Sequence, residues 1–399
     1  MRDLEEIRKV SSPHRAERFR NFLTKHRLQA WLSWRPDELT VISGYLPFWG
    51  ASVLLHLEGA ERILFVPVIE PQDHIPAGLI IREYPWGSSD CGNPFSVLIE
   101  NIRAELKRAG VDSSRVGMLH GAARTSLPMQ AAEHPPIPDT FREQLSAMTA
   151  KPDTEVDTAF LDLYLRKNPE EIQAVRLANK VAGIGIQAFY EHLAPGVSEA
   201  ELAAAVESAI QKQVGKQDVF HSRGWAMVQS GENTADSGLF NRTTGRPLQT
   251  GDLVLLELAT CVNGYWSDLT RTAAVGRAKP ELQRILAVVQ DAQRAAIAAV
   301  RPGVSAGEID EIARDTIARQ GLAAYFNHGT GHHVGFRYHD PGFAIAPGQS
   351  EKLEPGMIIT VEPGVYVREY GGGARMEDNV LVTESGYEVL STAPREAEA

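Results

Sequence analysis

Cysteine is nearly absent from this chain of 399 residues: only Cys91 and Cys261 occur, too few for a disulfide framework or a thiolate zinc site. An excess of basic residues is missing as well. Lys and Arg number 40 against 51 Asp and Glu, and a formal net charge of −11 speaks against a nucleic-acid partner, which calls for a basic face. Long apolar runs are also lacking. Stretches such as RILFVPVIE are far too short to cross a bilayer, so no membrane partner is expected. The opening MRDLEEIRKV is charged where a secretory signal would be apolar, which makes a cytoplasmic location the expectation.

What is present is the composition of a globular protein, with 43% apolar and 23% charged residues, in a chain long enough to favour two domains. Residues 14–27 read as a helix with Phe19, Phe22 and Leu23 on one face. Short apolar runs follow between turns: QAWLSW, ELTVISGYL, SVLLHL, RILFVPV and LIIREY. A helical stretch at 95–109 and then RVGMLHG complete the pattern of an α/β domain. Residues 131–157, with prolines at 135, 136, 138 and 152, read as an exposed connection, giving domains 1–157 and 158–399.

The second half repeats itself. Asn168-Pro169-Glu170-Glu171 starts a long amphipathic helix. PGVSEAELAAAVESAI from Pro195 then matches PGVSAGEIDEIARDTI from Pro302, each with a capping box (Ser198/Glu201 and Ser305/Glu308). Further on, Glu257 stands six residues after Gly251 in GDLVLLE, and Glu362 six after Gly356 in GMIITVE. Each strand precedes a turn and a second acidic strand, with Asp268 in YWSDLTRT and Glu377 in ARMEDNVLVT. This is the pattern of a duplicated α+β domain with pseudo-twofold symmetry.

Such symmetry would gather four carboxylates at one place. Buried without a counter-charge, each would cost several kcal/mol or take up a proton. Divalent ions remove that conflict, and oxygen ligands plus an imidazole suit Mn, Co or Zn. The imidazole has a source in HGTGHHVGFRYHDPG, which holds His328, His332, His333 and His339. Paired ions about 3.5–4 Å apart activate water for hydrolysis.

These residues resemble the pita-bread metallopeptidases, the family of methionine aminopeptidase, aminopeptidase P, prolidase and creatinase. The resemblance is carried by Glu257 and Asp268 in SDLTRT, by His328 through His332, by His339-Asp340, by Glu362 in VEPGVY, and by Arg375 and Glu377 in ARMED. It covers roughly residues 165–390, and residues 1–160 resemble the N-terminal domain of the prolidase, aminopeptidase P and creatinase branch. The resemblance implies two divalent metal ions per chain, Mn, Co or Zn. Glu257 and Asp268 would hold one, His332 and Glu362 the other, and Glu377 would bridge. It implies catalytic roles for Glu362 as proton acceptor, for His339 on the oxyanion or leaving nitrogen, for Arg375 in ordering a carboxylate or binding the substrate's, and for His328 in shaping the pocket. The expected substrate is a proline-containing dipeptide or short peptide cut before proline, as by an Xaa-Pro dipeptidase, and the expected assembly is a homodimer. Aminopeptidase P-like cleavage, a creatinase-like C–N hydrolase and a catalytically inactive binding module are the alternatives.

Two positions depart from the family. Glu257 stands where the peptidases carry Asp. Phe240 stands seventeen residues earlier, where they carry a substrate-facing histidine. His221, His333 or Tyr338 could take over that role. Trp225, Phe336, Tyr338 and Tyr366 are candidate walls of an apolar pocket.

Overall fold

Proline and short polar side chains write the helix starts of this protein. The computed structural model describes residues 13–48, 52–59, 61–86, 93–120, 139–239 and 241–394; Phe240 lies outside them. The chain divides into two compact units, Met1–Tyr164 and Leu165–Ala399.

In the first unit, α1 (Pro13–Lys25) buries Phe19, Phe22 and Leu23, and β1 (Ala30–Ser33) follows. Next comes α2 (Pro36–Ser43), then β2 (Val53–Leu57), β3 (Arg62–Pro67) and β4 (Ile80–Tyr84). The unit continues through α3 (Pro94–Arg108), β5 (Val116–Met118), α4 (Asp139–Ser146) and α5 (Thr154–Leu161). The strands form one mixed sheet in the order β4-β3-β2-β1-β5, with β1–β5 and β3–β4 parallel.

Two sequence expectations change here. ELTVISGYL contributes a helix, α2, rather than a strand. Pro36 presets the first turn, Asp37 and Glu38 favour the positive helix end, and Gly44 closes it in the left-handed region with its N–H on the Thr40 carbonyl. The supposed connection is largely structured: residues 131–138 lie outside the described residues, but α4 and α5 occupy much of the rest. Phe141 and Leu145, one helical turn apart, are buried with Met148 in the core of this unit, and Asp153 caps α5.

The second unit runs α6 (Pro169–His192), α7 (Glu199–Gln211), β6 (Ser222–Ser230), β7 (Leu253–Val262), β8 (Tyr265–Ala274), α8 (Pro280–Ala299) and α9 (Ala306–Ala318). It closes with β9 (Ile358–Val361), β10 (Gly364–Val367), β11 (Gly372–Arg375), β12 (Asp378–Val382) and β13 (Tyr387–Val389). The repeat read from the sequence recurs atom by atom. Both capping boxes form, at Ser198/Glu201 and Ser305/Glu308. Gly196 N–H donates to Leu248 O at 2.8 Å, and Gly303 N–H to Leu353 O at 2.8 Å. Helices α6 and α7 cover the β6-β7-β8 sheet with one apolar core, while α8 and α9 share a second core with β9 through β12.

One difference between the halves matters for the site. The first hairpin, β7–β8, is continuous, whereas its counterpart is broken into β9/β10 and β11/β12. Glu362 and Glu377 sit in those breaks. Pro363 has no N–H to give a ladder, so pairing stops at Val361 and resumes at Gly364, with Glu362 in the gap.

Candidate metal centre

Strand register places the first pair of acids. Glu257 on β7 lies directly opposite Thr270 on β8, and Asp268 opposite the small Ala259. Side chains alternate across a strand, so Asp268, Thr270 and Thr272 share the face that Glu257 occupies. Arg271, on the other face, forms a buried ion pair with Asp378 at 2.8 Å and donates to the Glu377 carbonyl at 2.6 Å. That clasp ties β8 to the second hairpin and spends the second acid of the MED run on structure. Asn379 completes it, donating to the Asp268 carbonyl at 2.7 Å and accepting from the Asp268 N–H at 3.1 Å.

The acids converge with two histidines. Three overlapping groups offer ligand atoms within 4.8 Å of one another: Glu257, Asp268 and Glu377; His332, Glu362 and Glu377; Asp268, His332 and His339. His332 Nε2 lies 3.3 Å from Asp268 Oδ2 and 3.4 Å from Glu362 Oε1. Its Nδ1–H donates to the His333 carbonyl at 2.9 Å, which leaves the Nε2 lone pair facing the carboxylates.

Arg375 is the cation already present. It is buried, and its Nε donates to Thr270 Oγ1 at 3.0 Å, its Nη1 to Tyr366 OH at 3.1 Å and its Nη2 to Glu257 Oε2. All three nitrogens thus order groups of the protein. Tyr338 OH donates to the other oxygen of Glu257. Tyr366 in turn reaches His328 Nε2 at 2.9 Å, and His328 Nδ1 lies 2.7 Å from the Gly329 carbonyl.

Charge decides how this cluster behaves. Burial pushes Asp268 well above its ordinary value, and the charges of Glu377, Glu257 and Glu362 add to the shift. Burial likewise raises Glu377, with Glu362 and Glu257 reinforcing it, and burial raises Glu362. Glu257 goes the other way: burial opposes its charge, but Arg375 and the hydrogen bonds from Thr270, Tyr338 and Arg375 hold it below the usual carboxylate range. Burial, with help from His332 and Arg375, drives His339 down to about 2, and burial and Arg375 take His328 to about 4. Both rings are therefore neutral near pH 7.

Fully ionised, the four carboxylates against one guanidinium would leave three negative charges uncompensated, and burial together with that excess is what raises three of them. Both oxygens of Asp268 and Oε1 of Glu377 are buried without a hydrogen-bond donor. Hard cations fit that donor set, because they supply what those oxygens lack. Among the residues singled out from the sequence, His333 is not part of the cluster: it is buried with its ring edge-on to Phe343, centroids 4.6 Å apart. Phe336 packs against Tyr265, and Trp225 against the small apolar group of Met227, Ala259 and Tyr338. Thr270, joining Glu257, Glu377 and Arg375, went unnoticed in the sequence; its place two residues after Asp268 on one strand was the available signal.

The chain matches the profile of metallopeptidase family M24 over residues 173–384, which contain every residue of this centre. It belongs to that family. Among curated M24 relatives, an Xaa-Pro dipeptidase of Pyrococcus furiosus is 34% identical over 259 residues, 65% of this chain and 71% of that protein. An Xaa-Pro dipeptidase of Pyrococcus horikoshii is 28% identical over 382 residues, 94% of this chain and 96% of that one. Among solved structures, an Xaa-Pro dipeptidase from Bacillus anthracis superposes with a TM-score of 0.77 at 25% identity, covering 96% of this chain and 98% of its own. The M24 peptidase fold, an N-terminal α/β domain before a pita-bread domain, is therefore the fold of this protein. Membership makes it a metallopeptidase and implies divalent metal cofactors. No helix among the described residues is long and apolar enough to cross a membrane.

Proposed function

We propose that this M24 peptidase is an Xaa-Pro dipeptidase that works with two divalent ions. The observation that carries the count is the overlap of the ligand groups: Glu377 is common to an all-carboxylate trio with Glu257 and Asp268 and to a second trio with His332 and Glu362. A ligand shared between two such trios is what adjacent cations require. Glu257 and Asp268 would hold one ion, His332 and Glu362 the other, with Glu377 between them. Bound there, the ions would supply Lewis acidity toward the scissile carbonyl and the attacking water.

The chain's own groups would do the rest. Glu362, partly open to solvent and with its carboxyl raised by burial, is suited to take a proton from the attacking water and pass it to the leaving nitrogen. Neutral His339, its ring 4.2 Å from that of His332, can donate one hydrogen bond to the developing oxyanion or the leaving nitrogen. Arg375 would keep Glu257 charged and fixed rather than bind substrate, since its donors are engaged within the site. His328 would brace Tyr366 from the rim.

The dipeptide preference is supported by the names of the two Pyrococcus relatives and of the Bacillus structure. A panel of Xaa-Pro dipeptides, Xaa-Pro-Xaa tripeptides and creatine, assayed after reconstitution with Mn, Co and Zn in turn, tests it. Proline release from dipeptides alone is expected. Strong tripeptide cleavage would make the protein an aminopeptidase, and creatine turnover without peptide cleavage would replace the reading altogether. A homodimeric, cytoplasmic enzyme remains part of this proposal, with sedimentation and cell fractionation as its checks.

A further inference from the structure

We infer that Tyr338 is a positioning residue for the cation site that Glu257 serves, and that it is matched to glutamate at that position rather than to aspartate. The inference rests on the two-ion reading above and concerns what one ligand of that site needs.

A carboxylate offers about four lone-pair sites, two on each oxygen. Oε2 of Glu257 accepts from Arg375 Nη2, and its other side is covered by Thr270 Oγ1, which shares its single proton between Glu257 Oε2 and Glu377 Oε2, so no room is left there for a cation. Oε1 accepts from Tyr338 OH, which leaves that oxygen one lone pair for a cation. Glu257 therefore meets an ion through the same oxygen that Tyr338 holds. The terminal torsion of a glutamate is broad and sets no carboxylate plane by itself. Donors on both oxygens set it here.

Tyr338 is built to be rigid. It is 1% exposed and packs with Met227 and Ala259, the latter directly opposite Asp268. Trp266 lies 6.4 Å from its ring and His339 4.2 Å. The turn that presents it is pinned by Asp340, which accepts from Phe336 N–H at 3.1 Å and Arg337 N–H at 2.7 Å. Adjacent residues of one turn thus serve two parts of the centre, Tyr338 through Glu257 and His339 beside Asp268 and His332. Shortening residue 257 by one methylene withdraws the carboxylate by roughly a bond length, about 1.5 Å, and breaks the hydrogen bond to a tyrosine that cannot follow.

The test is calorimetric titration of the metal-free full chain with Mn2+, for the wild type and the variants Tyr338→Phe, Glu257→Asp and the double variant. Two binding events are expected in the wild type. Tyr338→Phe should weaken one of the two, the event that Glu257→Asp also alters, by about tenfold or more, the effect of losing a hydrogen bond to a charged group, and leave the other within about twofold. A merely structural role would move both. In the Glu257→Asp background, removing the hydroxyl should change that same event by less than about twofold. Equal weakening in both backgrounds, or none in Tyr338→Phe, overturns the inference. Should Tyr338→Phe not fold, Glu257→Asp alone reads the match: weakening of one of the two events upholds it, and unchanged or tighter binding at both overturns it. A wild-type chain that takes up no Mn2+ sinks the two-ion reading and this inference with it, a result distinct from two ions bound with indifference to Tyr338.

Discussion

In the proposed reaction, Glu362 and Thr270 would divide the work of the centre between chemistry and order. Glu362 is the one acid of the four left partly open, and its raised carboxyl supports the proposed role of proton carrier. Glu362→Gln should lower turnover about 100-fold or more at saturating metal. Near-normal steady-state rates would move that role elsewhere. Thr270 has a single proton yet lies 2.5 Å from Glu257 Oε2 and 2.7 Å from Glu377 Oε2, while accepting from Arg375 Nε. Thr270→Val would leave a buried guanidinium nitrogen without its acceptor and cost about 1–3 kcal/mol, read by urea denaturation. A change within about 0.5 kcal/mol would mean that Arg375 finds another partner. The convergence of the acids and His332 was legible in the sequence because the repeat sets each acid at a matching place in its hairpin and the His-rich run lies between the two. Thr270 and Tyr338 were not marked in the same way: a hydroxyl that orders a ligand looks like any strand threonine or core tyrosine until the register is known.

Single elements show the same divide between signals that are local and signals that are not. Both capping boxes of the repeat form as read, because a cap is decided within four residues. ELTVISGYL was ambiguous: its β-branched apolar run suits a strand, and Pro36 before it together with Gly44 after it tips it to a helix. Lys167 carries no motif at all, but it joins Asp340 at 2.8 Å with both side chains fully buried. Asp340 in turn holds the turn that presents Tyr338 and His339. Removing one partner of a buried pair leaves the other charge uncompensated, so Lys167→Met should destabilise the protein by roughly 3–5 kcal/mol. Chemical denaturation measures it. A loss under about 1 kcal/mol would show that Asp340 is satisfied by its backbone donors alone.

On the scale of the whole catalytic unit, duplication explains why acids collect at one place, and charge explains what the place requires. Without metal, Asp268, Glu377 and Glu362 have carboxyls raised above their ordinary values of 3.8 and 4.5. A group with a raised folded pKa binds its proton more tightly folded than unfolded. Its contribution to stability is complete below the unfolded pKa and is lost as pH rises through the folded one. His328 and His339 act in the opposite sense, with folded values depressed to about 4 and about 2: their contribution is complete above the unfolded 6.5 and fades as pH falls. The histidine contribution is common to the metal-free and metal-loaded protein to a first approximation, so it largely cancels in their difference. Metal binding also displaces the carboxyl protons. The gain in melting temperature on saturation with Mn2+ should therefore grow from about pH 5 to about pH 8, with protons released on binding at the acid end. Thermal melts with chelator and with Mn2+ across that range measure it. A gain independent of pH would mean that Asp268, Glu362 and Glu377 are ionised, like Glu257, before any ion arrives, and that their crowding is relieved by something other than a cation.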